Sequence, residues 1–257
     1  MRRTHAFVVL VARLRRHLQL KGTILIWLLV VLIVPFVITE RWPVFPVTAY
    51  PATWLDRTVP FLPIAAWPYL SLWFYMAFAG LMLVKRDDVW RCFWIMAAMG
   101  AIADLVFLIH PTLIPIRPVL SVQPYAFIVA HDGRGNACPS LHVAYTLFAA
   151  VMMHDWLPRF RRPALLRTAS WTWASVIVFS TLAIRQHVAM DVAGGAVLGV
   201  AGAVAWRQDL PGLVRAWLTE RRASPRIEGG YDEERPYAGA HQHVKEGEVL
   251  ASSEAQR

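Results

Sequence analysis

Residues 23–39 run without a single charged side chain. A helix that is apolar on every side has no solvent face, so it must be buried in a large core or in lipid. In hydrocarbon each backbone N–H and C=O needs a partner within its own segment, which leaves the α-helix or a closed barrel. The run is not isolated. Comparable apolar stretches occupy residues 64–84, 90–109, 139–156, 168–184 and 188–206, and each is close to the ~20 residues that span a bilayer. Apolar residues make up 57% of the 257 and charged ones 17%, against ~45–50% and ~25% in soluble domains. This composition excludes a disordered chain, a collagen-like fibre and an ordinary cytosolic enzyme. Two cysteines are too few for a disulfide scaffold or a multi-cysteine zinc module. The expected fold is an all-α integral membrane protein, a six-transmembrane-helix bundle.

Six spans place both termini on one side, and the basic residues indicate which. Of 26 Lys and Arg, 21 lie in the N-terminal segment, the loops around Lys85 and Arg162, and the chain after Trp206. Only Arg41, Arg57, Arg117, Arg134 and Arg185 fall on the other side. The positive-inside rule then puts both termini in the cytoplasm. The net charge of +9 is accounted for by topology, and no nucleic-acid partner is expected. Three parts follow: residues 1–22, a basic amphipathic segment suited to the interface; residues 23–206, the membrane catalytic domain; and residues 207–257, a polar cytoplasmic tail without fixed structure. The first span is read as an uncleaved anchor, because no small-x-small site follows it. Gly195 and Gly199, four apart in the last span, form a close-packing face.

Against this background the polar residues of the non-cytoplasmic face stand out, since ionisable groups at membrane depth are expensive and mark function. His110 and Arg117-Pro118 close the third span. Pro139-Ser140-Leu141-His142 opens the fourth, and Arg185-Gln186-His187-x-x-x-Asp191 joins the fifth to the sixth. His142 and His187 are 45 residues apart, the length of one span down, a short turn and one span back. Such a set suits phosphoryl transfer, which needs fixed positive donors, a nucleophile and an acid for the leaving oxygen. The Arg117 guanidinium matches two phosphate oxygens. Pro139 suits a first helical turn, whose free N–H groups, with the Ser140 hydroxyl, favour an anion. Asp191, one turn from His187, is placed to fix its tautomer and strengthen the other ring nitrogen as a nucleophile. His142 then serves as general acid and base. Asp104, inside the third span, is read as a hydrogen-bond partner within the bundle, and His154 and Asp155 as solvated.

These residues resemble the three-part signature of the type 2 phosphatidic acid phosphatase superfamily, K-x6-R-P, then P-S-G-H, then S-R-x5-H-x3-D. The chain presents His110-x6-Arg117-Pro118, Pro139-Ser140-Leu141-His142 and Ser180-Thr181-x5-His187-x3-Asp191, over roughly residues 56–202. It departs at His110 for Lys, Leu141 for Gly and Thr181 for Arg. The Pro-Ser-Leu-His form and the missing arginine resemble the inositol-phosphotransferase and sphingomyelin-synthase branch more than the plain phosphatases. The resemblance implies a six-helix bundle, a site with no metal or other cofactor, and a phosphohistidine formed on His187. It also implies His142 as acid/base, Asp191 as orienting partner, and Arg117, Ser140 and His110 as phosphate contacts. Arg185, one helical turn beyond Thr181 on the same face, is a candidate for the missing guanidinium.

The expected activity is therefore that of a lipid phosphatase or phosphotransferase of the cell (inner) membrane. Its active site faces the periplasm or exterior. A lipid phosphate or phospholipid is the substrate, the bilayer the partner, and water or an alcohol the acceptor. Two other classes remain. His187, Asp191 and His142 are able to bind zinc in a metal-dependent hydrolase. A phosphate or lipid transporter also collects ionisable residues, although transporters commonly show internal repeats and none is visible. The residues leave oligomeric state open.

Overall fold

The computed structural model describes residues 11–114, 118–157, 160, 162–210 and 212–215. The described chain is mostly helical. α1 spans Leu18–Arg41, followed by a two-residue strand β1 (Thr48–Ala49) and a short helix α2 (Trp54–Thr58). After a 3-10 turn at Pro63–Ala65 come α3 (Ala66–Leu81) and α4 (Arg86–Ile109). Strand β2 (Thr112–Leu113) and helix α5 (Tyr125–His131) lead to α6 (Leu141–Trp156), α7 (Pro163–Ala183) and α8 (Ala189–Arg207).

Four helical stretches are long and apolar enough to cross a membrane: Leu18–Arg41, Pro63–Leu81, Arg86–Ile109 and Ala189–Arg207. The other two expected spans are helices too, but they fall outside that set. α6 has 16 residues, about 24 Å at 1.5 Å per residue, short of a ~30 Å hydrocarbon core. α7 has 21 residues, with Arg167, Thr168, Ser170 and Thr172 in its first half. The helix bounds also differ from the apolar runs. α4 begins at Arg86 rather than residue 90, because Asp87 and Asp88 suit a helix N-terminus. Within the segment after Trp206, residues 212–215 are helical. Residues 1–10 and 216–257, which hold most of the expected N-terminal segment and tail, lie outside the described residues.

α6 is the central helix, packed against α8, α7 and α3, while α1 lies on α4. The α6–α8 contact is close because α8 offers no side chains there. A methyl on Gly199 would stand 2.8 Å from the Ala144 carbonyl oxygen, and one on Gly195 would collide with that of Ser140. The main core runs through Phe93, Met96, Met99, Phe107, Phe148 and Met152 between these helices. Cys92 sits in it, with the sulfurs of Met96 and Met152 each 3.8 Å away.

Hydrogen bonds gather six helix ends at one end of the bundle. Gly135 N–H donates to Glu40 at the end of α1, and Leu62 N–H to the Ala183 carbonyl at the end of α7. Cys138 N–H donates to the Thr112 hydroxyl, and Ser140 N–H to the Asp191 carbonyl. A second cluster, with Ala66, Tyr69, Tyr125, Ile128 and Ile184, packs this end. The opposite end carries basic residues. Lys21 Nζ donates to the Leu81 and Arg13 carbonyls, and Arg91 and Arg207 pair with Asp209 and Asp155.

Candidate active site

His142 is the second residue of α6, and its position follows from the start of that helix. Ser140 is the N-cap: its hydroxyl accepts the Val143 N–H at 3.4 Å, satisfying one of the free donors of the first turn. Pro139 immediately before it lacks an N–H. His187 is placed by the way α7 ends. The helix stops at Ala183, and the Thr181 carbonyl then accepts N–H bonds from both Gln186 and His187, each at 3.1 Å. Asp191 sits at the third residue of α8, where its carboxylate accepts the Val188 N–H at 2.9 Å. An acidic group there complements the helix N-terminus.

The two histidine rings, whose centroids are 6.3 Å apart, line the same cavity of about 280 Å³. His187 Nδ1 stands 3.5 Å from Asp191 Oδ2, within ion-pair range but not aligned as a hydrogen bond. His187 and Asp191 are both buried, Asp191 to 1% exposure. His142 Nε2 and Asp191 Oδ1 are also buried and have no hydrogen-bond partner among the described residues. Buried polar atoms are normally satisfied, and His142, whose Nε2 is not, lines the cavity, as suits a group that meets something bound there.

The cavity has a polar end and an apolar limb. His131, Asp132, Asn136, Gln186 and Glu40 stand at the former. Leu32 and Phe36 of α1 face Leu72, Trp73 and Met76 of α3 along the latter. The sequence did not single out Tyr69, Asp132 or Gln186 as site residues. Asp132 lies in the Gly-rich 131–136 loop and Gln186 beside His187, so position in sequence pointed near them. Nothing local distinguished Tyr69 from other aromatics of its span.

The remaining expected residues are placed differently. Arg117 lies outside the described residues. His110 caps the end of α4, exposed, with its ring 6.0 Å from that of Tyr50, and it does not line the cavity. Arg185 corrects an expectation. It is not one helical turn beyond Thr181, because α7 has already ended and Arg185 takes a left-handed conformation at φ 61. Its guanidinium turns to α2, donating to the Asp56 carbonyl and, at 2.9 Å, to that of Val59. It anchors the turn before His187 and is not among the cavity's lining residues. Asp56 completes that anchor, its carboxylate accepting the Ala189 N–H at 2.8 Å. His154 is likewise not simply solvated, since it accepts the Trp171 indole N–H at 3.2 Å. Cys138, in the loop before α6, lies near Asp191 and Tyr50. Burial pushes its thiol up to about 11, with the Asp191 charge adding and the Tyr50 hydrogen bond opposing. Among the described residues no three His, Cys, Asp or Glu side chains are grouped to hold a metal.

Helix content, four stretches long and apolar enough to cross a membrane, and this cavity point to a helical integral membrane protein with a histidine–carboxylate site at one end of its bundle. The chain belongs to the PAP2 superfamily, which matches it over residues 68–215, more than half its length. Membership implies lipid phosphatase or phosphotransferase chemistry on phosphate esters. No curated protein and no solved structure matches the chain. The matched region contains His142, His187 and Asp191 but begins after α1, so the apolar limb is walled on one side by a helix outside the family match.

Proposed function

We propose that the protein is a six-span lipid phosphatase or phosphotransferase with cytoplasmic termini, membrane-embedded over residues 23–206, acting at the non-cytoplasmic face of the cell membrane. One observation carries the reading: His142 and His187 face each other across one cavity at 6.3 Å, with Asp191 behind His187. Phosphoryl transfer between the two rings needs ~3–3.5 Å from nucleophile to phosphorus and ~2.6–3.2 Å from leaving oxygen to acid, and both rings line the one cavity in which such a group would sit. The basic residues at the opposite end of the bundle support the orientation.

With Nδ1 of His187 turned to Asp191, Nε2 attacks phosphorus. The bond from phosphorus to the ester oxygen breaks, and that oxygen takes the proton from Nε2 of His142. In the second half-reaction the acceptor hydroxyl gives its proton to His142 as its oxygen attacks phospho-His187 and the N–P bond breaks. Ser140, fully buried and outside the cavity lining, is assigned to the cap that places His142, and Arg117 is assigned to phosphate. The structure gives no support for the same role at His110 or Arg185, whose contacts lie elsewhere. The apolar limb between α1 and α3 suits an acyl or isoprenoid chain. The Pro-Ser-Leu-His form and the absent third-motif arginine favour an alcohol over water as acceptor, as in the inositol-phosphotransferase-like branch.

The test is turnover of a panel of labelled lipid phosphates by purified wild type and His187→Ala, with and without chelator. The expected results are chelator-insensitive turnover, a base-stable, acid-labile phosphoenzyme in wild type, and neither product nor label in the variant. An alanine variant with full activity removes the mechanism. Phosphate release without any added alcohol removes the obligate transferase.

A further inference from the structure

His142 has a carboxylate of its own, reached through a tyrosine. Tyr69 of α3 lies flat on the imidazole, with centroids 4.0 Å apart and planes 15° from parallel. Its hydroxyl donates to Asp132 Oδ2 at 2.6 Å and lies 3.3 Å from His142 Nδ1. A phenol has one proton to give. With that proton on Asp132, the Tyr69 oxygen is left as an acceptor, which matches the tautomer with hydrogen on Nδ1 of His142 and leaves Nε2, buried and without a partner among the described residues, free to exchange a proton. Gln186 Nε2 donates to the same carboxylate oxygen at 2.7 Å. Gln186 and Tyr69 are buried, at 1% and 2% exposure, so the arrangement is held by packing. Gln186 is also the residue before the proposed nucleophile, which ties Asp132 to the turn that places His187.

We propose that Tyr69 and Asp132 are positioning residues for the general acid, forming an Asp132–Tyr69–His142 relay that holds the Nδ1–H tautomer and supports positive charge on the imidazole. The relay rests on the reading of His142 given above. It makes the site two histidine–carboxylate units. His187 meets Asp191 directly, as suits a nucleophile whose lone pair must be strengthened. His142 meets Asp132 through a hydroxyl, as suits a group that must gain and lose a proton in each cycle. No proton leaves the relay: Nδ1 keeps its hydrogen throughout, and only Nε2 exchanges with the leaving and incoming oxygens.

An acid matters most when the leaving oxygen is a poor one. The experiment compares dioctanoyl phosphatidate, whose diacylglycerol leaves as an alkoxide unless protonated, with p-nitrophenyl phosphate, whose phenolate departs without a proton. Tyr69→Phe keeps the stacked ring and removes only the hydroxyl; Asp132→Asn keeps the size and removes the charge. Each should lower kcat/KM on phosphatidate, which reports the first half-reaction alone, by ~10–100-fold, part of the ~10²–10⁴ that general acid–base catalysis supplies. The loss on p-nitrophenyl phosphate should be at least tenfold smaller. Equal losses on both substrates, or no loss on either, overturn the relay, since a merely structural role moves both together. If Asp132→Asn does not fold, Tyr69→Phe decides alone. A wild type that turns over neither substrate, or a His187→Ala variant that stays active, instead removes the functional reading and the relay with it.

Discussion

Replacing Gly199 by alanine tests how the two halves of the site are held together. α8 carries His187 at its approach and Asp191 in its first turn; α6 carries His142. The glycine face of α8 rests on the backbone of α6, where a methyl at position 199 would stand 2.8 Å from the Ala144 oxygen and 3.1 Å from its Cα. Ordinary contact begins near 3.4 Å, so about 0.6 Å must be found. The obstacle is helix backbone, which cannot rotate away, so the helices must part. Overpacking of this kind costs about 1–3 kcal/mol, or roughly 2–12 °C in melting temperature for a chain of this size. A 1 Å misplacement of reacting groups costs about 10²-fold, so a 0.6 Å shift should lower turnover roughly tenfold. Gly195→Ala, whose methyl meets the Ser140 carbonyl more closely still, should lose more on both counts. Gly80 in α3 is the control: nothing lies within 4 Å of its missing methyl, and Gly80→Ala should gain about 0.5–1 kcal/mol. Tryptophan fluorescence during heating and phosphate release from the same preparations read both quantities. A Gly199→Ala protein that melts and turns over as wild type refutes the close approach of α6 and α8.

Cys138 should react with thiol reagents as a strongly suppressed thiolate. With its pKa raised to about 11, the reactive form is scarce at neutral pH, and maleimide labelling should climb about tenfold per pH unit from 7 to 10. A plateau near pH 8.5, where an ordinary thiol titrates, contradicts this. Arg185→Ala should destabilise by about 1.5–3 kcal/mol through two lost charge-assisted bonds. Arg185→Gly should be milder, since glycine takes φ 61 without the ~1–2 kcal/mol paid by other residues; the reverse order in thermal melts rejects the turn's role. Asp56→Ala, which leaves the Ala189 N–H and the Thr53 donors unpaired, should destabilise by about 1–3 kcal/mol, and an unchanged melt counts against that anchor.

Much of this was legible in the chain, for definite reasons. The apolar runs become helices because hydrocarbon or core permits little else, and α1 and α4 contain the whole of theirs. The meeting of His142 and His187 was legible because a hairpin of α6 and α7 returns the chain to its starting end. The Gly195 and Gly199 spacing announced a packed face without naming its partner. The Arg185 expectation failed on one assumption, that α7 continues through residue 185. The chain leaves the helix at Ala183, and the side chain then points at α2 instead of along the α7 face. Tyr69, Asp132 and Gln186 were not legible because each depends on a contact across at least 54 residues. Periodicity and spacing do not report such contacts.

The carboxylates at the site end explain how acidic residues coexist with a phosphate ester. A bare carboxylate in a low-dielectric cavity repels a phosphate dianion strongly. Here each accepts hydrogen bonds from neighbouring donors. Asp56 accepts from Ala189 N–H and from both donors of Thr53, Asp191 from Val188 N–H, and Asp132 from Tyr69 and Gln186. The remaining negative character of Asp191 and Asp132 is directed at His187 and His142 respectively. The buried atoms of the site left without a partner among the described residues include His142 Nε2, His187 Nδ1 and Asp191 Oδ1. A phosphoryl group arriving between the rings meets two imidazoles, each backed by a carboxylate, in a cavity whose polar end Asp132 and Glu40 also line. The carboxylate behind each ring strengthens the nucleophile and supports the protonated acid.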